Sequence, residues 1–468
     1  MSNKSGTAHL PATFVSGSIM RHIWIMTTTG AIGLVGVFVV DLIDMIFLSM
    51  LDSDAIIAGV GFAASISFFT VSMSIGISIS MAALVSRMIG QRNTDKARRY
   101  VVNIIALALI VTSIMSAVIW FNLPFLFNLL GAADEPLNEG VSYLQILIPS
   151  LPLFSAGMVM SAAIRAVGDA RLAMLTTLLG GVVNAILDPI FIFVLDLGIE
   201  GAAMASVLAR CFLLALAIYG VSTKHKLLKR FVLKEFLEDF RPIFKIAGPA
   251  MLTNVATPVG NAIVISSIAV FGGSYVAGFA IIGRISPVAF ALVFALSGAI
   301  APIIGQNYGA LKFERIRQTL KNSLIFSALY VSLVSILLWM LQNPIIALFK
   351  LEGEAAELMS VFCTWVAITF IFNGAQFVAN TTFNNLGKPM YATGFNVAKS
   401  TLGTLPFVAI GSQLGGAAGI ILGVAVGGMI FAVAAVIIAF KHIGTLAHNA
   451  DNCETIASIE TIKQKTIA

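Results

Sequence analysis

Long apolar runs recur along this chain with only brief polar interruptions, and that repetition limits the fold more than any motif does. A helix rises about 1.5 Å per residue, so about 20 apolar residues cross the roughly 30 Å of hydrocarbon in a bilayer. With 58% hydrophobic and 11% charged residues among 468, the chain holds more apolar surface than a soluble core could hide, and lipid must be part of its solvent. Strands of a membrane barrel would alternate every second residue, which these runs do not do. Helices, which pair their own backbone groups, are the expected element.

Twelve spans are predicted, near 20–49, 55–85, 99–122, 138–164, 170–195, 199–221, 245–271, 276–304, 318–341, 356–383, 390–411 and 416–440. The polar first eighteen residues and the length of the first span do not fit a cleaved signal peptide. Lysine and arginine crowd the loops after spans 2, 6 and 8, from Arg87 to Arg99, Lys224 to Lys245 and Lys312 to Lys321. The opposite loops carry acids such as Asp134, Glu139, Glu200 and Glu354. The positive-inside rule then places the basic loops, and with an even number of spans both termini, in the cytoplasm. Topology accounts for the net charge of +6, and no clustered basic motif points to nucleic acid.

The halves repeat at a separation of about 215 to 220 residues: IGQ at 89–91 returns at 304–306, and IRAVGDARLAM at 164–174 has the outline of FNNLGKPMYAT at 383–393. Six spans per copy make the repeat parallel, about an axis along the membrane normal. The expected fold is therefore an all-α polytopic membrane protein, twelve transmembrane helices as two six-helix parallel repeats around a central cavity. Residues 1–222 form an N-terminal lobe, 223–244 a cytoplasmic amphipathic connector, 245–443 a C-terminal lobe, and 444–468 a cytoplasmic tail with little order. The connector has phenylalanine and leucine at helical spacing, suited to the membrane surface or to packing on the protein.

Charge at membrane depth costs roughly 2.5 to 3.5 kcal/mol on insertion scales and usually marks a cavity, a partner or a proton path. Asp41 and Asp44, three apart on the first span, share a helix face, as do Asn184 and Asp188, four apart on the fifth. At about 1.5 Å per residue the three acids lie roughly 9 to 14 Å below the acidic end, where one pocket could gather them. A salt bridge from Arg210 to Asp188 is the structural alternative. The second half has no such acids; its polar groups at depth include Asn261, Arg284, Asn373, Gln376, Asn380 and Lys399, which can bind a ligand's polar or anionic parts. No GxxxxGK[ST] loop and no intramembrane serine, histidine or metal constellation occurs, which argues against an ATP-driven pump or an enzyme.

DLIDMIFLSML at 41–51, RAVGDARLAM at 165–174 and NAILDPIFIFVLDLGIEGAAMAS at 184–206 resemble the multidrug and toxic compound extrusion family, in its DinF-like branch. The resemblance extends over essentially all twelve spans. It implies an antiporter in the bacterial inner membrane, exporting amphipathic, often cationic drugs or toxic compounds against protons, with sodium as the alternative ion. By resemblance Asp44 is the first-helix acid, Asn184 and Asp188 the fifth-helix pair and Ser206 a hydroxyl of the sixth helix, with Asp41 an added acid. Sodium, if used, would sit at Asp44 and Asp188. No cofactor is implied, and a monomer is expected. Thr29 stands where that branch often has a proline, with Gly30, Gly33 and Gly36 to lend flexibility instead. Other classes weighed are a lipid-linked oligosaccharide flippase of related fold, with Arg284 and Lys399 on a pyrophosphate, and a major facilitator transporter, whose loop signature GQRNTDKARR at 90–99 matches poorly.

Overall fold

The computed structural model describes residues 10–51 and 53–467. Its regular structure is helical, with no strand among the described residues. Twelve passes have membrane length: α1 Ile19–Ser49, α2 Asp54–Gly90, α3 Thr94–Phe121, α4 Asp134–Ala166, α5 Ala170–Val194, α6 Gly198–Lys224, α7 Leu233–Ala269, α8 273–309, α9 Phe313–Met340, α10 Gly353–Asn385, α11 389–414 and α12 from 417 onward. Side-chain oxygens of Ser18, Ser53, Asn93 and Asp169 accept from the first free backbone N–H groups of α1, α2, α3 and α5, which have no partner within their own helices.

Two breaks shape the second half. At Phe290 the backbone of α8 leaves helical values (φ −108°, ψ 26°), three residues after Pro287. The Tyr330 hydroxyl donates to the Ala289 carbonyl there at 2.7 Å, and the Phe290 ring stacks on Phe370 at 4.1 Å. Between α11 and α12 the chain reverses at Gly415 and Gly416, the latter at φ 57°, a conformation that suits glycine. The α11–α12 hairpin then packs backbone to backbone, since a Cβ on Gly427 would lie 1.8 Å from the Gly403 carbonyl oxygen. Where the sequence suggested flexibility, α1 is one unbroken helix: Thr29 donates to the Ile25 carbonyl at 2.6 Å, and Gly33 and Gly36 fit against Met174 and Leu178 of α5.

Residues 223–244 do not form a helix apart. From Leu233 the segment is the first part of α7, which runs through Pro242, Pro249 and Pro258 without ending. Its charged face has a partner in α3: Arg99 meets Asp239 at 2.6 Å and Glu238 at 2.8 Å, and Asn103 donates to Asp239 at 2.8 Å. Phe236 and Ile243 are buried beneath. Beyond Gly444, where little order was expected, α12 continues as helix, through residues such as Ala, Glu, Lys and Gln that favour it.

The two lobes, α1–α6 and α7–α12, meet along a seam near the basic loops. A Cβ on Gly90 would fall 2.0 Å from the Gln306 carbonyl oxygen, and one on Gly309 would fall 2.1 Å from that of Arg87. The contact is reciprocal. Gly90 and Gly309, Arg92 and Leu311 (φ 59° and 55°), and Gly168 and Gly387 (φ 98° and 81°) each stand 219 residues apart. The matching IGQ triplets, 215 apart, are thus one helical turn out of the structural register.

The chain before α1 also bridges the seam. Phe14 N–H donates to Gln306 Oε1 at 2.9 Å, Gln306 Nε2 donates to the Ala166 carbonyl at 2.9 Å, and Arg315 donates to the carbonyls of Phe14, Ser16 and Gly17. Arg87 reaches the Asn385 carbonyl at 2.6 Å and lies over the Tyr308 ring. Along α2 the face that is buried here continues toward the acidic end as exposed Gly61, Ser65 and Phe69. The lobes are closed at the basic end and part toward the acidic one.

Candidate ion-binding and solute site

The acidic half of α1 lies against α5, with Val40 beside Gly181. That packing turns Asp44 toward Asp188, and the two carboxyl groups lie within hydrogen-bonding reach of each other. Asp188 is buried at 1% exposure and accepts a hydrogen bond from Asn184 Nδ2 at 2.9 Å, one helical turn away. Asp44 Oδ1 and Asp188 Oδ2 are buried and receive no donor among the described residues. Two acceptors so placed repel unless a proton or a cation lies between them. Asp41, a turn nearer the basic end, is exposed and touches Asp44 only through its charge. The three acids expected in one pocket are thus a buried pair and an outlier, because α5 covers one edge of α1 and leaves Asp41 off it.

Arg210 does not pair with Asp188. Its guanidinium donates to the Leu147 carbonyl at 3.2 Å and Ser150 Oγ at 2.8 Å, and lies 5.0 Å from the centre of the Phe154 ring. A carbonyl, a hydroxyl and a ring face satisfy the cation and leave the carboxylates with no base paired to them among the described residues. Ser206 enters the site through a residue the sequence did not mark: Tyr143 of α4 is within hydrogen-bonding reach of Ser206 and close to Asp44, Asp188 and Arg210. The available signal was depth, since Tyr143 is nine residues below the start of α4, roughly 14 Å, level with the acids.

The RAVGDAR turn between α4 and α5 has a supporting role. Asp169 Oδ1 caps α5 through Leu172 N–H at 3.1 Å, and Oδ2 meets Lys224 at 2.7 Å and His225 at 2.9 Å at the end of α6. Burial pushes its carboxyl up, but these hydrogen bonds outweigh burial and hold it below the usual carboxylate range. The turn is thereby tied to the helices on both sides of the acid pair.

The polar residues singled out in the second half do not converge. Lys399 Nζ donates to Asn373 Oδ1 at 2.6 Å, linking α11 to α10. Gln376 and Asn380, both buried, bond each other at 3.0 Å on α10. Asn261 and Arg284 are exposed and bond no other described residue. Among the described residues no ion pair involves Arg284 or Lys399. No three His, Cys, Asp or Glu side chains among the described residues gather as a metal cage would require.

Comparison with known proteins agrees with this architecture. The MatE family model matches twice, over residues 31–190 and 249–410, once in each lobe. A FAD transporter of Shewanella oneidensis is 28% identical over 90% of this chain and 94% of its own length. The multidrug export protein MepA of Staphylococcus haemolyticus is 25% identical over 81% and 84% respectively. A crystal structure of a mutant of the Vibrio cholerae MATE transporter VcmN superposes with a TM-score of 0.87 at 25% identity, over 93% of this chain and 100% of that one. With both halves matched by one model and the twelve-helix bundle shared, this chain belongs to the MatE family of membrane transporters.

Proposed function

We propose that this transporter is a secondary active antiporter that expels amphipathic, often cationic organic compounds and is driven by protons, with sodium as the alternative ion. The observation that carries the reading is the Asp44–Asp188 pair: two carboxyl groups in mutual reach, at membrane depth, with buried oxygens that no donor among the described residues satisfies. Taking up a proton or cation removes the repulsion, and releasing it restores it, so occupancy biases how α1 packs on α5. Because α1 also packs on α8 of the other lobe, a change at the pair is transmitted to the seam. An ion can shift such an equilibrium only by its difference in affinity for the two states. Asn184, Ser206 and Tyr143 complete the pocket, and Asp41 tunes it from outside.

The basic loops, on the positive-inside rule, put the closed end in the cytoplasm and the open end outside, as an exporter awaiting its driving ion requires. The similarity to the Shewanella FAD transporter adds FAD to the solutes worth testing. The decisive experiment is ethidium export from proteoliposomes under an imposed pH gradient in sodium-free buffer. Export by the wild type and none by a correctly inserted Asp44→Asn variant is expected. Full export by that variant would reject the site, and export that needs sodium would reject the proton.

A further inference from the structure

The second lobe carries, in the same crevice between helices, the charge opposite to that of the first. In the first lobe the crevice is formed by α4, α5 and α6, and it holds Asp188. Its counterpart in the second lobe is formed by α10, α11 and α12. There Lys399 projects from α11 to Asn373 of α10, and its stem packs closely on Gly428 of α12: a Cβ at Gly428 would lie 3.2 Å from Lys399 Cε and 3.8 Å from Nζ. At the 219-residue register set by the seam glycines, Lys399 matches Gly180, and Gly180 packs on Ala209 as Lys399 packs on Gly428. The lysine thus lies two turns nearer the basic end than the acid pair, in the same groove of the repeat.

The lysine is poorly compensated. An ammonium has three protons to donate, and its one partner among the described residues is the neutral Asn373 oxygen. From residue 246 to residue 313, and again from 358 to 450, the sequence has no aspartate or glutamate; Glu314 of α9 and Glu354 and Glu357 of α10 stand in the opening turns of their helices, and among the described residues none pairs with Lys399. Arg284, exposed on α8 and bonded to no other described residue, adds a second positive charge to the same lobe. A cation kept at membrane depth without an acid is costly unless a ligand or water answers it.

We propose that the α10–α11–α12 crevice is an anion subsite, in which Lys399 and the Asn373 amide bind the phosphate or carboxylate of an amphipathic solute. The proposal rests on the transporter reading and narrows its substrate class, since a solute seated there carries a negative group as well as an apolar body. The lysine supplies a charge-assisted hydrogen bond, and Asn373, relieved of part of its bond to the lysine, offers its amide N–H to the same oxygens.

Three flavins test this, because riboflavin, FMN and FAD share a ring and differ in phosphate. Binding to the purified full-length protein is read from flavin fluorescence. FMN and FAD are expected to bind about tenfold or more tightly than riboflavin, and inorganic phosphate should displace FMN. Lys399→Gln should remove that preference and leave riboflavin binding as it was, with Lys399→Arg restoring most of it. Equal binding of riboflavin and FMN by the wild type overturns the subsite without needing any variant, as does a preference that survives in Lys399→Gln. Ethidium export under a pH gradient reports on antiport separately, so failure of one reading is distinguishable from failure of the other.

Discussion

The two lobes have one fold and opposite polar contents. In the first, Asp44 and Asp188 face each other with no base paired to them among the described residues. In the second, Lys399 leans on a neutral amide, and the acids of its helices stand only near their ends, among them Glu235, Glu238, Asp239 and Glu314 at the basic end and Glu354 and Glu357 at the acidic end. The backbone devices are shared, including the seam glycines and the turn glycines 219 residues apart. Duplication therefore preserved what the bundle needs in order to pack and left the polar positions free to diverge.

The sharpest way to break this contrast is to remove a carboxyl from the pair. Asp188→Asn should abolish ion-driven export, because the remaining Asp44 no longer has an acid to share an ion with, whereas Asp41→Asn should only reduce the rate. Equal effects in the vesicle assay would mean that the three acids work as one cluster after all.

A second test concerns what the lobes share. Gly90→Ala places a methyl against the Gln306 backbone, where neither side is a flexible tip; overpacking of this kind costs about 1 to 3 kcal/mol. It should push the population away from the state closed at the basic end. The measurement is maleimide labelling of a cysteine at the exposed Gly61, in a background without Cys211, Cys363 and Cys453. Slower labelling is expected, and Gly309→Ala should match it. Unequal effects would show that the seam is not reciprocal.

The smallest effect is at the turn. Asp169→Asn keeps the shape of the α5 cap but loses the charge that holds Lys224 and His225, and should lower thermal stability in detergent by about 1 kcal/mol. Because the Asp169 carboxyl is held below its ordinary range in the folded protein, its contribution is present at neutral pH and is lost as pH falls through the folded value. The variant and the wild type should therefore converge in acid. A difference that persists there would assign the effect to the cap alone.

Particular residues show what could be read in advance. The spans were legible because a bilayer imposes length and apolarity on each segment independently of its neighbours. Asp44 and Asp188 stood out because charge at depth is rare, and Asn184 because it lies one turn from Asp188; the structure brings the three together. Tyr143 was not, since an aromatic ring in an apolar run looks like packing until its hydroxyl is seen beside Ser206. The IGQ triplets misled by one turn because a four-residue shift keeps the same helix face toward the partner.

The amino-acid sequence by itself determined the membrane class, the number of passes, the duplication and the confinement of deep intramembrane acids to one half, all of which follow from local composition and from the cost of charge in hydrocarbon. Only the tertiary structure decided which charges have partners. Arg210 turned to a carbonyl, a hydroxyl and a ring rather than to Asp188, Asp41 fell outside the pair, and α7 took its polar partners from α3. Pairing depends on which helix faces meet, and that is set by long-range packing at glycines and between lobes.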